Sequence, residues 1–319
     1  MEQQMCTISI HTCQIDRFLD LLNNIRSMFG EKIINLEPLT SGLSNLDFAA
    51  TLESGKKLFM RLATPDYEKF ISREKERQNA TVAGKIGISP EIYFFGENGD
   101  EIIEFLELPT MHPEDFQNRP DVLESAAKLL ARFHSTPAED FAGFFDPVTE
   151  IRAYETMMHE NNFYEVFDGW ERISAAIDRI ESAFRKNPSP QCPCHCDTVP
   201  ENFLYDGKTI KMIDWEFSGV SDPYYDVSGI LTENRLNKEN CTAFIRAYCG
   251  GEPTEEQNAR IYVNRFLYCV YWAQWALSLV AFGRDRDFFF SYGADKMRLA
   301  HSYLDDPDFE GYLQTLENL

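Results

Sequence analysis

The amino-acid sequence predicts an α+β fold in two lobes, a small β-rich lobe over residues 1–106 and a larger, mostly helical lobe over residues 107–319. Three observations carry this. The first hundred residues hold two hairpin signals, whereas helical periods fill most of the chain after residue 106. The change of texture falls at residues 107–113, which hold two prolines and no apolar period. A chain of 319 residues is also long enough to bury two cores.

Residues 14–29 space Ile15, Phe18, Leu19, Leu22, Ile25 and Phe29 as one face of a helix. Residues 33–36 read as a short strand and residues 39–45 as a small, polar, glycine-bearing loop. Strands at 46–52 and 57–62 flank Glu53-Ser54-Gly55-Lys56, and strands at 92–95 and 101–106 flank the Asn98-Gly99 turn. One helix is expected between the hairpins, at 67–85. Beyond the switch, helices are expected at 120–135, 150–161, 168–186, 238–249, 256–282 and 286–304. A single strand pair, 202–205 with 209–213, turns at Asp206-Gly207.

Residues 266–282 are nearly all apolar and touch the lower limit of a membrane span, about 17 residues. Their aromatic residues Tyr268, Tyr271, Trp272 and Trp275 sit mid-segment, however, where membrane aromatics favour the ends. A buried helix of the larger lobe is the expectation, with no membrane insertion.

The net charge of −22 repels a phosphate backbone and argues against nucleic acid as a partner. It favours a cationic small molecule. Residues 1–17 lack the basic and apolar regions of a secretory signal, so reduced thiols and a cytoplasmic location are expected. Three of the eight cysteines crowd into Cys192-Pro193-Cys194-His195-Cys196. Paired zinc ligands are usually two to four residues apart and need a second pair, which the sequence does not offer. Apolar packing under the following loop is the reading preferred, with His195 holding that loop by hydrogen bonds.

The segment most informative about chemistry is His195-Cys196-Asp197-Thr198-Val199-Pro200-Glu201-Asn202, continuing to Ile213-Asp214-Trp215-Glu216. Phosphoryl transfer needs a carboxylate to orient or deprotonate the attacking hydroxyl. It also needs an amide oxygen and a carboxylate to hold Mg²⁺ against the phosphates. Asp197 and Asn202 are five residues apart, the spacing of a known catalytic loop in which an Asp and an Asn serve these roles, and the hairpin is expected to bring Asp214 back beside Asn202. Glu216 is placed to support a second ion. A strand-rich lobe, a connector and a helical lobe also suit a nucleotide bound between them.

This segment, with Asp222-Pro223-Tyr224-Tyr225-Asp226 after it, resembles the choline/ethanolamine kinase family, closest to bacterial choline kinases of the LicA type. More broadly it resembles the aminoglycoside phosphotransferases, which share a protein-kinase-like fold. The resemblance runs from about residue 39 to about residue 298. It implies ATP and Mg²⁺ as cofactors, with Asp197 as catalytic base and Asn202, Asp214 and Glu216 as metal ligands. Ser41, Gly42, Ser44 and Asn45 match the loop over the nucleotide phosphates, although Ser-Gly-Leu-Ser-Asn has one glycine fewer than the usual pattern. Arg61 matches the basic residue of the third strand. Glu76 matches the helix acid that pairs with it, with Glu74 as competitor.

Trp272 and Trp275 stand at i and i+3 on one helix face, where two rings can wall a site for a quaternary ammonium group. The resemblance adds Tyr292 and Glu233 to that substrate end, and Trp215 inside the metal segment is counted with it. It leaves the basic residue open between Lys296 and Arg298, and assigns Asp226 to anchoring the loop after the metal segment. The expected activity is transfer of the γ-phosphoryl group to choline or a related amino alcohol. Ethanolamine, thiamine or an aminoglycoside are alternative acceptors, and a non-catalytic pseudokinase is the rival of a different class.

Overall fold

The computed structural model describes residues 12–39, 45–63 and 71–319. The chain forms two units, one of Met1–Leu108 with Met212–Glu216 and the other of Pro109–Lys211 with Phe217–Leu319. The segment that ends in Asp214 and Glu216 therefore groups with the strand-rich unit.

The first unit opens with helix α1 (Thr12–Phe29), followed by strands β1 (Ile33–Leu39), β2 (Leu46–Leu52) and β3 (Lys57–Leu62). Helix α2 (Arg73–Lys85) and the hairpin β4 (Ile92–Phe95) and β5 (Glu101–Glu104) complete it. The sheet is antiparallel throughout, in the order β1-β2-β3-β5-β4. Gly55 and Gly99 take the left-handed conformation (φ +87° and +82°) that these short turns require. The helix expected at 67–85 is seen from Arg73, and residues 64–70 lie outside the described residues.

Successive side chains of a strand point to opposite faces. Leu58, Met60 and Leu62 of β3 join Phe48, Ala50, Leu52 and Ile102 on the face covered by Leu21 and Ile25 of α1. Each such fully buried aliphatic side chain contributes roughly 1.5–3 kcal/mol. The buried stripe of α1 is Phe18, Leu21, Leu22, Ile25 and Phe29. Ile15 and Leu19, expected in that stripe, are exposed, because the helix is turned so that Leu21 faces the sheet.

The other face of β3 carries Arg61. Its register partners are Asp47 on β2 and Glu101 on β5, so an acid, a base and an acid stand in one row across three strands.

The second unit contains α3 (Pro113–Asn118), α4 (Pro120–His134), α5 (Pro147–Glu160) and α6 (Trp170–Lys186). Next come short strands β6 (Cys192–Cys194), β7 (Phe203–Tyr205), β8 (Ile210–Met212) and β9 (Gly219–Ser221). Helices α7 (Pro223–Glu233), α8 (Lys238–Cys249), α9 (Glu255–Ala281), α10 (Arg286–Asp305) and α11 (Pro307–Glu317) follow. Strand β6 pairs with β9, and β7 with β8. The Asp206 carboxylate closes the β7–β8 turn by accepting the N–H groups of Lys208 and Thr209 at 2.9 and 2.8 Å.

Helix α9 is the axis of this unit. It packs against α5, α7, α10 and α11, and residues such as Phe266, Leu267, Val270, Leu277 and Leu279 are fully buried. Thr254 starts it with a reciprocal capping box to Gln257. Among the described residues no helix is long and apolar enough to cross a membrane.

Candidate active site

Three groups of side chains hold the residues singled out above, one in the first unit and two in the second. In the first unit Arg61 lies among four carboxylates: Glu101 at 3.3 Å, Asp47 and Asp214 at 3.5 Å, and Glu76 at 3.9 Å. Glu76 makes its shorter contact to Arg73, at 2.6 Å, and Arg73 also reaches Glu216 at 3.6 Å. Glu76 is buried and Glu74 exposed, which settles the competition between them. Asp47 and Arg73 were not singled out in the sequence. They enter through strand register and through the i, i+3 spacing on α2.

Electrostatics here are lopsided. Five carboxylates face two guanidinium groups. Burial opposes the charge on Arg61, but Glu101, Asp214, Asp47 and Glu76 outweigh it and hold Arg61 firmly protonated. Burial raises Asp47 and Glu76 above their ordinary range and pushes Glu101 up to about 7. Burial, with Asp214 beside it, raises Glu216 further.

Carboxylate oxygens of Glu76, Asp214 and Glu216 lie within 4.8 Å of one another, and Asp214 Oδ1 accepts no hydrogen bond. Such a set of hard oxygens with surplus negative charge fits a magnesium ion. Asp214 is itself in the left-handed region (φ +68°), conformational strain of the kind found at functional positions. Trp215 is buried in this unit, its indole N–H donating to Ser89 Oγ at 3.0 Å. Asn45 immediately precedes β2, while Ser41, Gly42 and Ser44 lie outside the described residues.

In the second unit Asp197 follows β6 on a loop. Asn202 Nδ2 donates to the Asp197 main-chain oxygen at 2.9 Å and to its Oδ2 at 3.1 Å. The loop is held from below by Asp226, which is on α7. Asp226 Oδ2 accepts the N–H of His195 at 2.7 Å, and Oδ1 accepts the N–H of Cys196 at 2.8 Å. Cys196 has φ +65°, so these two bonds fix a strained backbone one residue before Asp197. One expectation is thereby corrected. Asp226 anchors the loop before Asp197 rather than the one after the metal segment. It does so through the main chain of residues 195 and 196, which directly follow strand β6.

Helices α7, α9 and α10 assemble the third cluster. The Trp272 and Trp275 rings meet edge to face, with centroids 5.2 Å apart. Trp275 also meets Phe289 and Tyr292 at 5.9 and 6.1 Å, and Trp272 meets Phe217 at 5.2 Å. Neither indole N–H has a hydrogen-bond partner among the described residues. Glu233 forms an ion pair with Lys296, whose Nζ lies 5.2 Å from the Tyr292 ring centre and 5.7 Å from that of Tyr268. Lys296 is thus the basic residue of this cluster. Arg298 is exposed and pairs with Asp295.

Residues 35–260 match the profile of the phosphotransferase enzyme family, APH. The protein LicA of Haemophilus influenzae is 28% identical over 230 residues, covering 70% of this chain and 85% of that protein. A choline/ethanolamine kinase family protein from Mesorhizobium loti matches in structure with a TM-score of 0.83 and 27% identity. That match covers 96% of this chain and 100% of the other. The choline kinase LicA from Streptococcus pneumoniae shares the fold, with a TM-score of 0.75 and 23% identity, over 91% of this chain and 99% of that one.

Proposed function

We propose that this chain, which belongs to the phosphotransferase enzyme family, transfers the γ-phosphoryl group of ATP to the hydroxyl of choline. That it is a kinase-type phosphotransferase of the choline/ethanolamine and aminoglycoside kind follows from the comparisons above. Choline as the acceptor is our reading. The observation that carries it is the cluster of Trp272, Trp275 and Tyr292 beside Glu233, in which Lys296 already sits as a cation near aromatic rings. A quaternary ammonium group suits such a place by cation–π attraction.

Asp197 is the proposed base. The amide of Asn202 holds one of its carboxylate oxygens, which fixes the direction in which the carboxylate accepts the hydroxyl proton. The new bond joins the choline oxygen to the γ-phosphorus, the bond to the bridging oxygen of ADP breaks, and the proton passes to Asp197. Asn202, Asp214 and Glu216 are the proposed magnesium ligands, the ion offsetting charge on the transferred group. Arg61, kept protonated by its carboxylates, is the proposed counter-charge to nucleotide phosphates. Glu76 holds that arginine, and Ser41, Gly42, Ser44 and Asn45 are proposed to cover the phosphates.

The test is ADP release from Mg·ATP with choline, ethanolamine, thiamine and kanamycin in parallel, with Asp197→Ala as control. Choline-dependent turnover that disappears in the variant supports both the chemistry and the acceptor. Turnover with another acceptor alone overturns choline and keeps the phosphotransfer reading. ADP release that survives in Asp197→Ala overturns the base.

A further inference from the structure

Cys192, Cys194 and His134 form a cluster that the proposed reaction does not use. The two cysteines sit two residues apart on β6, so their side chains leave the strand on the same side. Their sulfurs are 3.8 Å apart. His134 comes from the last turn of α4, far away in sequence. One of its ring nitrogens and both sulfurs lie within 4.8 Å of one another. The sequence does not show this third ligand, because His134 stands 58 residues before Cys192.

The surroundings of His134 favour ligation. Its Nε2 lies 3.0 Å from Asp226 Oδ2. An ionised carboxylate only accepts, so Nε2 carries the proton and Nδ1 keeps its lone pair. A carboxylate behind an imidazole is the arrangement that orients metal-bound histidines and raises their basicity. Nδ1 accepts the O–H of Tyr248 at 2.8 Å, so metal binding exchanges this hydrogen bond for a coordinate bond. A tetrahedral ion with bonds of about 2.3 Å to sulfur sets its sulfur ligands about 3.8 Å apart, close to the separation already present. Soft sulfurs with one imidazole select zinc-like ions over magnesium, which prefers oxygen.

We propose that Cys192, Cys194 and His134 bind one thiophilic divalent cation, Zn²⁺ in chemical class, which ties strand β6 to helix α4. Cys194 stands three residues before Asp197, and Asp226 touches both His134 and the loop carrying Asp197. The ion is structural. It braces the segment that presents the proposed base, and its binding is independent of which acceptor the enzyme uses.

Cadmium titration of the metal-free, reduced protein is the test, read by the sulfur-to-cadmium charge-transfer absorbance, with no nucleotide or magnesium present. The expected result is saturation at about one equivalent, as for one site with two thiolate ligands. Cys192→Ala should abolish the band, and His134→Ala should weaken binding by at least about tenfold, since a ligand should matter no less than its hydrogen-bonded neighbours. Cys241→Ala should leave it unchanged. Zinc should also raise the melting temperature of the wild-type protein and not that of Cys192→Ala. Circular dichroism would confirm that the variants are folded. No band at one equivalent, or a band that persists in folded Cys192→Ala, overturns the proposal.

Discussion

The carboxylate of Asp226 accepts the main-chain N–H of His195 at 2.7 Å, although the two residues are 31 positions apart. The same side chain takes the N–H of Cys196 at 2.8 Å and faces Nε2 of His134 at 3.0 Å. Asp226 is fully buried. Replacing it by alanine would leave two N–H groups and the imidazole without their acceptor in the interior. Asp226→Ala is expected to cost about 3–5 kcal/mol of stability, the range for breaking a buried charged network. Because the loop ends at Asp197, kcat should also fall by about a hundredfold, the scale of a misplacement of roughly 1 Å. Urea unfolding and initial rates check the two parts separately. Wild-type kcat in a destabilised but folded variant would show that Asp226 does not position the loop.

Gly229 on α7 tests the same loop by steric means. A Cβ there would meet Thr198 Oγ1 at 2.2 Å and the Tyr268 ring at 2.8 Å. Neither neighbour can yield easily, since both are fully buried and Thr198 Oγ1 donates to the Asp226 main-chain oxygen. Gly229→Ala should destabilise by about 1–3 kcal/mol, as overpacking does. Thr198 adjoins Asp197, so kcat should drop more than the substrate KM rises. Thermal melts and steady-state rates provide the measurement. An unchanged melting temperature would contradict the packing described.

Glu101 gives a pH dependence with a definite sign. Burial raises it from the ordinary 4.5 to about 7. The folded protein therefore keeps a proton that the unfolded chain has already lost. The stability this brings is complete below about pH 4.5 and is lost as pH rises through about 7. Glu101→Gln keeps the shape and removes the titration. In magnesium-free protein, the variant should gain stability relative to the wild type between about pH 5 and about pH 8, by no more than about 3 kcal/mol. Parallel pH profiles of the unfolding midpoint are the readout. Profiles that run parallel across this window would place the titration elsewhere.

The two N-terminal hairpins were legible because strand alternation and turn residues are local signals. The bounds of β2, β3, β4 and α8 are those read from the sequence. Helices α3, α7 and α11 were missed, and each begins at a proline. At the first helical position a proline is no break, because its missing N–H costs nothing there. Asp222 before Pro223 and Asp306 before Pro307 cap these helices, accepting from Tyr224 and Asp308, so the signal was present. Strands β6 and β9 are three residues long and carry no readable period. The site divides in the same way. Asp197, Asn202 and Asp214 stand out through spacing in one stretch of chain. Asp47, Arg73 and His134 acquire their partners only through strand register, a helix turn or a distant strand, none of which a local pattern records.

Trp275 offers the sharpest check on the acceptor. Its ring lies edge to face with Trp272, Phe289 and Tyr292, and its N–H has no hydrogen-bond partner among the described residues. What it can offer a cation is its ring face, since the indole N–H edge is electropositive. A desolvated cation–π contact is worth about 2 kcal/mol, or roughly thirtyfold in binding. Trp275→Ala should raise the KM for choline by that order while changing kcat little, because the ammonium takes no part in the bonds made and broken. Trp275→Phe should recover part of the loss. Dimethylbutanol, the uncharged carbon analogue of choline, separates charge recognition from mere fit. It should bind the wild type more weakly than choline does, and Trp275→Ala should shrink that difference. A difference that stays constant in the variant would mean that the ring packs the helices and does not recognise the charge.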